Sequence, residues 1–366
     1  MKIVLTGGIT GGHIYPALAI GDKFKENNPG CEIIYIAHGE SLERSIIPAA
    51  GYDLYEVASE PLDRRNIFRL IGTIFKTLRG TSAAYKIMKK FKPDVVISTG
   101  SYVSVPVVFA GFRYGASIYI HEQNGFPGMS NRLLSRYAKK VFTGFESAKQ
   151  YFKDDNNIMH TGNPVRKEFS GRDRLTDRNN LGINESDLVI MIFGGSLGSE
   201  TTNMIGEAVS RKYADTIGYT VIWGTGKNYY QNIIDRFEDE GFFPSNLKIS
   251  AYIENMPEIL SASDISVSRS GAISTAEITM EGRAAIFVPS PNVTEDHQYY
   301  NAKAVVDKGG AFVVRENDET CDEVIKLIDK LDSDRDKIRE MEAASNMMAP
   351  INAAEIIYDT IMETYK

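Results

Sequence analysis

Several clusters in this chain have residue types and spacings suited to chemistry. The first is Gly7-Gly8-Ile9-Thr10-Gly11-Gly12-His13, with Pro16 placed to open a helix. Glycine pairs let backbone N–H groups approach a phosphate or sugar at a helix N-terminus, where the dipole favours negative charge. The glycines do not fall at G-x-G-x-x-G, so this is not the dinucleotide fingerprint. His13 ends the loop, where a neutral imidazole can take a proton; helix capping explains it equally well. In the second half, Phe193-Gly194-Gly195-Ser196-Leu197-Gly198-Ser199 repeats the device, and its amides with the Ser196 hydroxyl suit a diphosphate without a metal.

Two further clusters are polar. Ser268-Arg269-Ser270-Gly271 leads into Ala272-Ile273-Ser274-Thr275-Ala276-Glu277, where the carboxylate can accept both hydroxyls of a ribose diol or simply complement a helix dipole. Downstream, Gln298 in Glu295–Asn301 suits sugar hydroxyls, and capping explains it as well. His121-Glu122-Gln123-Asn124 precedes Gly125-Phe126-Pro127-Gly128. Four polar side chains at a strand end are costly to bury unless paired with each other or with a ligand. Glu122 can act as a base or orient one, and Asn124 can bind an amide substituent. His121 and Glu122 point to opposite faces of a strand, so they are no metal pair. No spacing resembles a metal site or a nucleophile elbow, and the reading calls for no metal and no cofactor.

Elements that would position these loops recur along the chain. Short β-branched runs fall at Lys2–Thr6, Glu32–Ala37, Asp94–Ser98, Ser117–His121, Lys140–Thr143, Leu188–Phe193, Thr220–Trp223, Asp264–Ser268 and Ala285–Pro289. Helical spacing separates them, as at Pro16–Asn27 and Ile67–Phe91. Runs apolar on both faces, alternating with helices, predict parallel strands covered on both sides. The pattern occurs twice, so the predicted class is α/β with two doubly wound, Rossmann-like domains. The seam is the polar stretch Thr161–Asn180. The predicted domains are 1–161 plus a C-terminal helix in 351–366, and 162–350.

The chain has 366 residues, 43% hydrophobic and 24% charged, which suits two ordinary domains and excludes a disordered chain. The net charge of −7 is unevenly spread: residues 1–165 carry 20 Lys and Arg against 14 Asp and Glu, and the rest carry 21 against 34. The positive half is therefore expected to face something anionic. Within it, Arg64–Lys92 holds nine basic residues and no acid, interleaved with Ile67, Phe68, Leu70, Ile71, Ile74, Phe75 and Leu78. Such a surface suits anionic lipid; without evident stacking positions, nucleic acid is not expected as a partner. Cys31 and Cys321 have no partner motif, which suits a reducing compartment. The N-terminus runs straight into a strand pattern, so no leader is expected, and Val95–Phe112 holds too many small polar residues to be a membrane span.

The stretches TGGITGGHIYPALAI, STGSYVSVPVV, HEQNGFPGMSNRLLSRYAKKVFTGF, TGNPVR, GGSLGS, SRSGAISTAEI and EDHQYYNA closely resemble glycosyltransferase family 28, the peptidoglycan N-acetylglucosaminyltransferases. They span both halves in order, so the resemblance covers nearly the whole chain. It implies the GT-B architecture, two Rossmann-like domains facing across a cleft, with the acceptor in the N-terminal one and the nucleotide sugar in the C-terminal one. The implied reaction moves GlcNAc from UDP-GlcNAc to lipid I, giving lipid II, at the cytoplasmic face of the cell membrane. The enzyme would be peripheral and the partners cell-wall synthesis proteins.

Carried over by position, the resemblance places Thr10, Gly11 and Gly12 at the donor's sugar side and Asn124 at the GlcNAc. Arg166 and Ser196 would meet the diphosphate region and Ile253 the uracil. Ala272, Ile273, Ser274, Thr275, Ala276 and Glu277 would contain the phosphate and ribose contacts, and Gln298 would bind sugar hydroxyls. Ile9 stands where many relatives have Gly, and His297 where some have Gln. The implied chemistry is inverting displacement by the MurNAc 4-hydroxyl, with His13 as base and Glu122 as its alternative or its orienting partner. A diacylglycerol glycosyltransferase, a UDP-GlcNAc epimerase and a nucleotide-sugar sensor are the competing readings.

Overall fold

The computed structural model describes residues 1–61, 67–153, 157–195 and 197–365. Arg64 and Arg65 of the basic stretch, and Ser196 of the second glycine-rich loop, lie outside the described residues. The chain divides into two compact units, Met1–Arg166 with Asn352–Lys366, and Lys167–Ile351. The first boundary falls five residues beyond the expected 161, because the TGNPVR segment is tied to the first unit: Asn163 Nδ2 donates to the carbonyl of Gln123 at 3.0 Å.

In the first unit, strands β1 (Lys2–Thr6), β2 (Glu32–Ala37), β3 (Asp53–Glu56), β4 (Val95–Ser98), β5 (Ser117–Glu122), β6 (Lys140–Thr143) and β7 (Ile158–His160) form a parallel sheet in the order β3-β2-β1-β4-β5-β6-β7. Helices α1 (Gly11–Asn27), α2 (Ser41–Ala49), α3 (Ile67–Phe91), α4 (Ser104–Tyr114) and α5 (Met129–Leu134) connect them. Alternation along β1 sends Ile3 and Leu5 to one face, against Ile14, Ile20 and Phe24 of α1. It sends Val4 to the other face, against Ala84 and Met88 of α3 and Val107 and Val108 of α4. Burying each such side chain contributes about 1.5–3 kcal/mol, so both faces are strongly specified.

The second unit repeats the plan. Helix α6 (Arg174–Asn180) precedes β8 (Leu188–Phe193), α7 (Glu200–Lys212), β9 (Tyr219–Gly224), α8 (Tyr230–Glu240), β10 (Leu247–Ser250), α9 (Met256–Ala262), β11 (Ile265–Ser268), α10 (Ala272–Met280), β12 (Ala284–Phe287), α11 (His297–Val306), β13 (Ala311–Val313), α12 (Thr320–Ser333) and α13 (Arg335–Asn346). The parallel sheet runs β10-β9-β8-β11-β12-β13. The last helix, α14 (Ala353–Thr364), returns to the first unit. There Ile357 and Ile361 are fully buried, and Ser117 Oγ donates to the carbonyl of Tyr365 at 2.9 Å.

In both units the strand order reverses beside the first strand of the sheet, and loops gather at the carboxyl ends of the strands, where open α/β sheets bind ligands. Helix α1 corrects one expectation: it starts at Gly11, and Pro16 lies inside it. Gly11, Gly12 and His13 are therefore first-turn residues, so their amides belong to the helix terminus instead of a preceding loop.

Candidate active site

The first glycine-rich loop is shaped by close neighbours. A Cβ at Gly7 would run into Thr99 Oγ1, and one at Gly8 into Glu43 Oε1. Thr99 uses this proximity to donate to the carbonyl of His13 at 2.7 Å, tying the end of β4 to the first turn of α1. Ile9 has φ of 73°, in the left-handed region that a β-branched residue rarely adopts, and this strain is held by Glu43. The buried Glu43 carboxylate accepts the amides of Ile9 (2.8 Å), Gly39 (2.6 Å) and Glu40 (3.0 Å). One carboxylate thus fixes the loops after β1 and β2 together. The sequence reading gave Glu43 no role; its signal was the capping box it forms with Glu40 at the start of α2.

His13 is half-buried, and its Nδ1 lies 2.8 Å from the carbonyl oxygen of Thr99 and 3.0 Å from Gln123 Oε1. A carbonyl only accepts, so Nδ1 carries the proton and the neutral ring keeps its lone pair on Nε2. Thr10, in extended conformation, caps the helix without a side-chain bond; its carbonyl accepts the amides of His13 and Ile14 at 3.1 and 3.2 Å.

His121, Glu122 and Gln123 are all buried. Glu122 Oε1 accepts the Asn124 amide at 2.9 Å and Asn124 Nδ2 at 3.2 Å, and Oε2 accepts the Gly128 amide at 3.0 Å and Asn131 Nδ2 at 2.8 Å. Glu122 thereby shapes the loop that presents Asn124. The orienting contact on the His13 ring, expected of Glu122, is made by Gln123. Side chains alternate here, so residues 121 and 123 share one side and Glu122 takes the other. Sequence alone assigns no role to Gln123, although it stands inside the motif, or to Asn131. Arg166 places its guanidinium 5.3 Å from the ring centroid of Tyr15.

In the second unit, Gly198 (φ 80°) and Gly226 (φ 85°) let the loops after β8 and β9 meet backbone to backbone. Ser199 caps α7 and receives Arg269 Nε and Nη2 at 3.0 and 2.8 Å. Arg269 Nη1 reaches the Val288 carbonyl at 3.0 Å and also pairs with Glu316. This arginine, which its motif alone gave no role, joins three strand-end loops. Gly271 caps α10, placing Ala272 to Glu277 on its first two turns with no acid in the first. Glu277, 8% exposed, and Thr275 are buried. Ile253 is buried against Gly224 at the end of β9. Gln298 Oε1 accepts the Ser290 amide at 2.9 Å, while Ser270 Oγ donates to the Gln298 carbonyl and Asn301 Nδ2 to the Ser270 carbonyl. Helix α11 and the SRSG loop are thus laced together.

Residues 3–143 match the glycosyltransferase family 28 N-terminal domain and residues 189–357 the family 28 C-terminal domain. The chain belongs to this family and is a glycosyltransferase of GT-B fold. It is 37% identical, over its whole length and 89% of the relative's, to the UDP-N-acetylglucosamine–N-acetylmuramyl-(pentapeptide) pyrophosphoryl-undecaprenol N-acetylglucosamine transferase of Clostridioides difficile. It is 36% identical, over its whole length and 98% of the relative's, to the same-named enzyme of Caldicellulosiruptor saccharolyticus. Among solved structures, Acinetobacter baumannii MurG matches with a TM-score of 0.77 and 27% identity over 99% of each chain. A UDP-GlcNAc 2-epimerase from Neisseria meningitidis matches with a TM-score of 0.72 and 16% identity over the whole of both chains, which speaks for fold alone.

Proposed function

We propose that this chain transfers GlcNAc from UDP-GlcNAc to the 4-hydroxyl of MurNAc in undecaprenyl-pyrophosphoryl-MurNAc-pentapeptide, with inversion at the anomeric carbon. One observation carries the mechanism: His13 has its Nδ1 proton committed to Thr99, which leaves the Nε2 lone pair as the site for an incoming proton. The acceptor hydroxyl attacks the anomeric carbon, its proton passes to Nε2, and the bond to UDP breaks with the electron pair leaving on the diphosphate. Glu122 supports the reaction by holding the Asn124 loop, where the acetamido group would bind. The loop around Ser196, the amides opening α10 at Ala272 and Ile273, and Arg166 would meet the diphosphate charge, since preorganised donors can do this without a metal. Glu277 would take the ribose hydroxyls, Ile253 the uracil, and Gln298 the sugar hydroxyls, with Ser274, Thr275 and Ala276 lining the path between. Thr10, Gly11 and Gly12 would touch the donor's sugar side.

Because the acceptor is a lipid, the first unit would sit on an anionic membrane through the Arg64–Lys92 stretch, at its cytoplasmic face. Supporting this, α3 exposes Ile74, Phe75 and Leu78, at 47%, 64% and 60%. Lys76 pairs with Glu60 from outside the stretch, which trims its basic character. Among the described residues no helix is long and apolar enough to cross a membrane.

The test is UDP release from UDP-GlcNAc with and without a short-chain lipid I analogue, followed by product identification. Acceptor-dependent release with a β-1,4 disaccharide product is expected. Release without acceptor, or an isomerised sugar, would overturn the reading in favour of hydrolysis or epimerisation.

A further inference from the structure

His121 is fully buried, yet it neither touches the reacting groups proposed above nor packs as a simple core residue. Its Nε2 lies 3.1 Å from the carbonyl oxygen of Gly162, so Nε2 carries the proton and Nδ1 the lone pair. That lone pair is met at 3.0 Å by Gln123 Nε2, which also lies 2.9 Å from the His121 carbonyl. Two acceptors therefore claim both protons of the Gln123 amide nitrogen. Swapping the amide oxygen and nitrogen would set an oxygen against a lone pair and a carbonyl, so only one orientation is stable. In that orientation Oε1 faces the Nδ1 proton of His13 at 3.0 Å.

We infer that Gln123 and His121 are positioning residues forming an uncharged relay, from the Gly162 carbonyl through His121 and Gln123 to His13, which holds the His13 ring in its Nδ1–H tautomer and fixed in rotation. The relay rests on the reading of His13 as the base. Each link is set by the one before it, beginning at a backbone carbonyl that cannot change its role. Thr99 supplies a second acceptor for the same Nδ1 proton, so the proton is shared between two acceptors and the ring is held against rotation from two directions. Burial without an anionic partner suits His121 to such a place. Desolvation lowers its pKa to about 4, so the imidazole stays neutral and Nδ1 stays an acceptor. A carboxylate in place of Gln123 would orient His13 too, but would also hold a negative charge against the imidazolium that forms. An amide orients the ring without trapping the proton.

The experiment is long-range proton–nitrogen NMR of the full chain labelled at its five histidines, at a pH where they are neutral, assigned through His13→Gln and His121→Gln. The expected result is opposite tautomers: His13 protonated on Nδ1 and His121 on Nε2. Finding His13 as the Nε2–H form, or His121 as the Nδ1–H form, would overturn the relay. In parallel, Gln123→Met should lower kcat about tenfold or more, with both KM values within about twofold, and add an Nε2–H population at His13. Gln123→Glu, which keeps an acceptor toward His13, should remove that population. An unchanged kcat in a folded Gln123→Met protein would also overturn it. If the tautomers are as expected but His13→Ala still turns over normally, the base assignment fails and the relay stands as a structural feature.

Discussion

The carboxylate of Glu43 accepts the backbone N–H of Ile9 at 2.8 Å, joining the helix after β2 to the glycine-rich turn after β1. A β-branched residue at positive φ has no local reason to stay there, and this bond, with the neighbouring amides of Gly39 and Glu40 on the same carboxylate, supplies one. The turn then delivers Gly11, Gly12 and His13 to the first turn of α1.

Changing Glu43 to Ala would leave three amides without that acceptor and release the strained turn. We expect a loss of about 3 kcal/mol, read from the urea midpoint, together with a lower kcat. A change below about 0.5 kcal/mol would show that the loop holds itself.

On the donor side, Glu277→Ala should raise the Michaelis constant for UDP-GlcNAc about tenfold or more while leaving the acceptor constant near its original value. An unchanged donor constant would remove Glu277 from the ribose site.

The buried His121 gives a pH signature. Its folded pKa is about 4, against 6.5 for the ordinary group, because burial disfavours the charged ring. Below pH 6.5 the unfolded chain binds a proton that the folded chain refuses, so stability falls as the pH drops toward 4. Between pH 7.5 and 5 this group removes about 2 kcal/mol. The stability gap between the wild type and His121→Gln, measured by denaturant titration, should narrow by that amount; a constant gap would mean that His121 takes up its proton in the fold as readily as in the unfolded chain.

In the proposed reading, the exposed apolar side chains on α3 would make the lipid contact. Phe75→Ser with Leu78→Ser should weaken binding to anionic vesicles about tenfold or more while leaving turnover of a short-chain acceptor intact. Equal vesicle binding by both proteins would move the contact elsewhere.

What the sequence made legible follows burial. The nine expected strands are all present, because central parallel strands are apolar on both faces and stand out from their surroundings. The four that were missed, β3, β7, β10 and β13, are the edges of the two sheets. Strands such as Asp53–Glu56 and Ile158–His160 are short and half-exposed, so their composition resembles loop. At the site, motif residues were readable as polar groups at strand ends, but their partnerships were not. That Gln123, and not Glu122, contacts His13 depends on which side of β5 faces α1, and Arg269 gains its role only when Ser199, Val288 and Glu316 converge on it. Pro16 reads as a first-turn residue, which sets the expected start of α1 too late, because this helix carries its proline internally.

In the proposed reaction the His13 imidazole takes the acceptor hydroxyl's proton through Nε2. The most direct test is kcat of His13→Ala with saturating UDP-GlcNAc and short-chain lipid I analogue, alongside donor affinity measured separately. A fall of about a hundredfold or more is expected, with donor binding retained. Turnover within about threefold of the wild type would contradict it and return the role of base to another group.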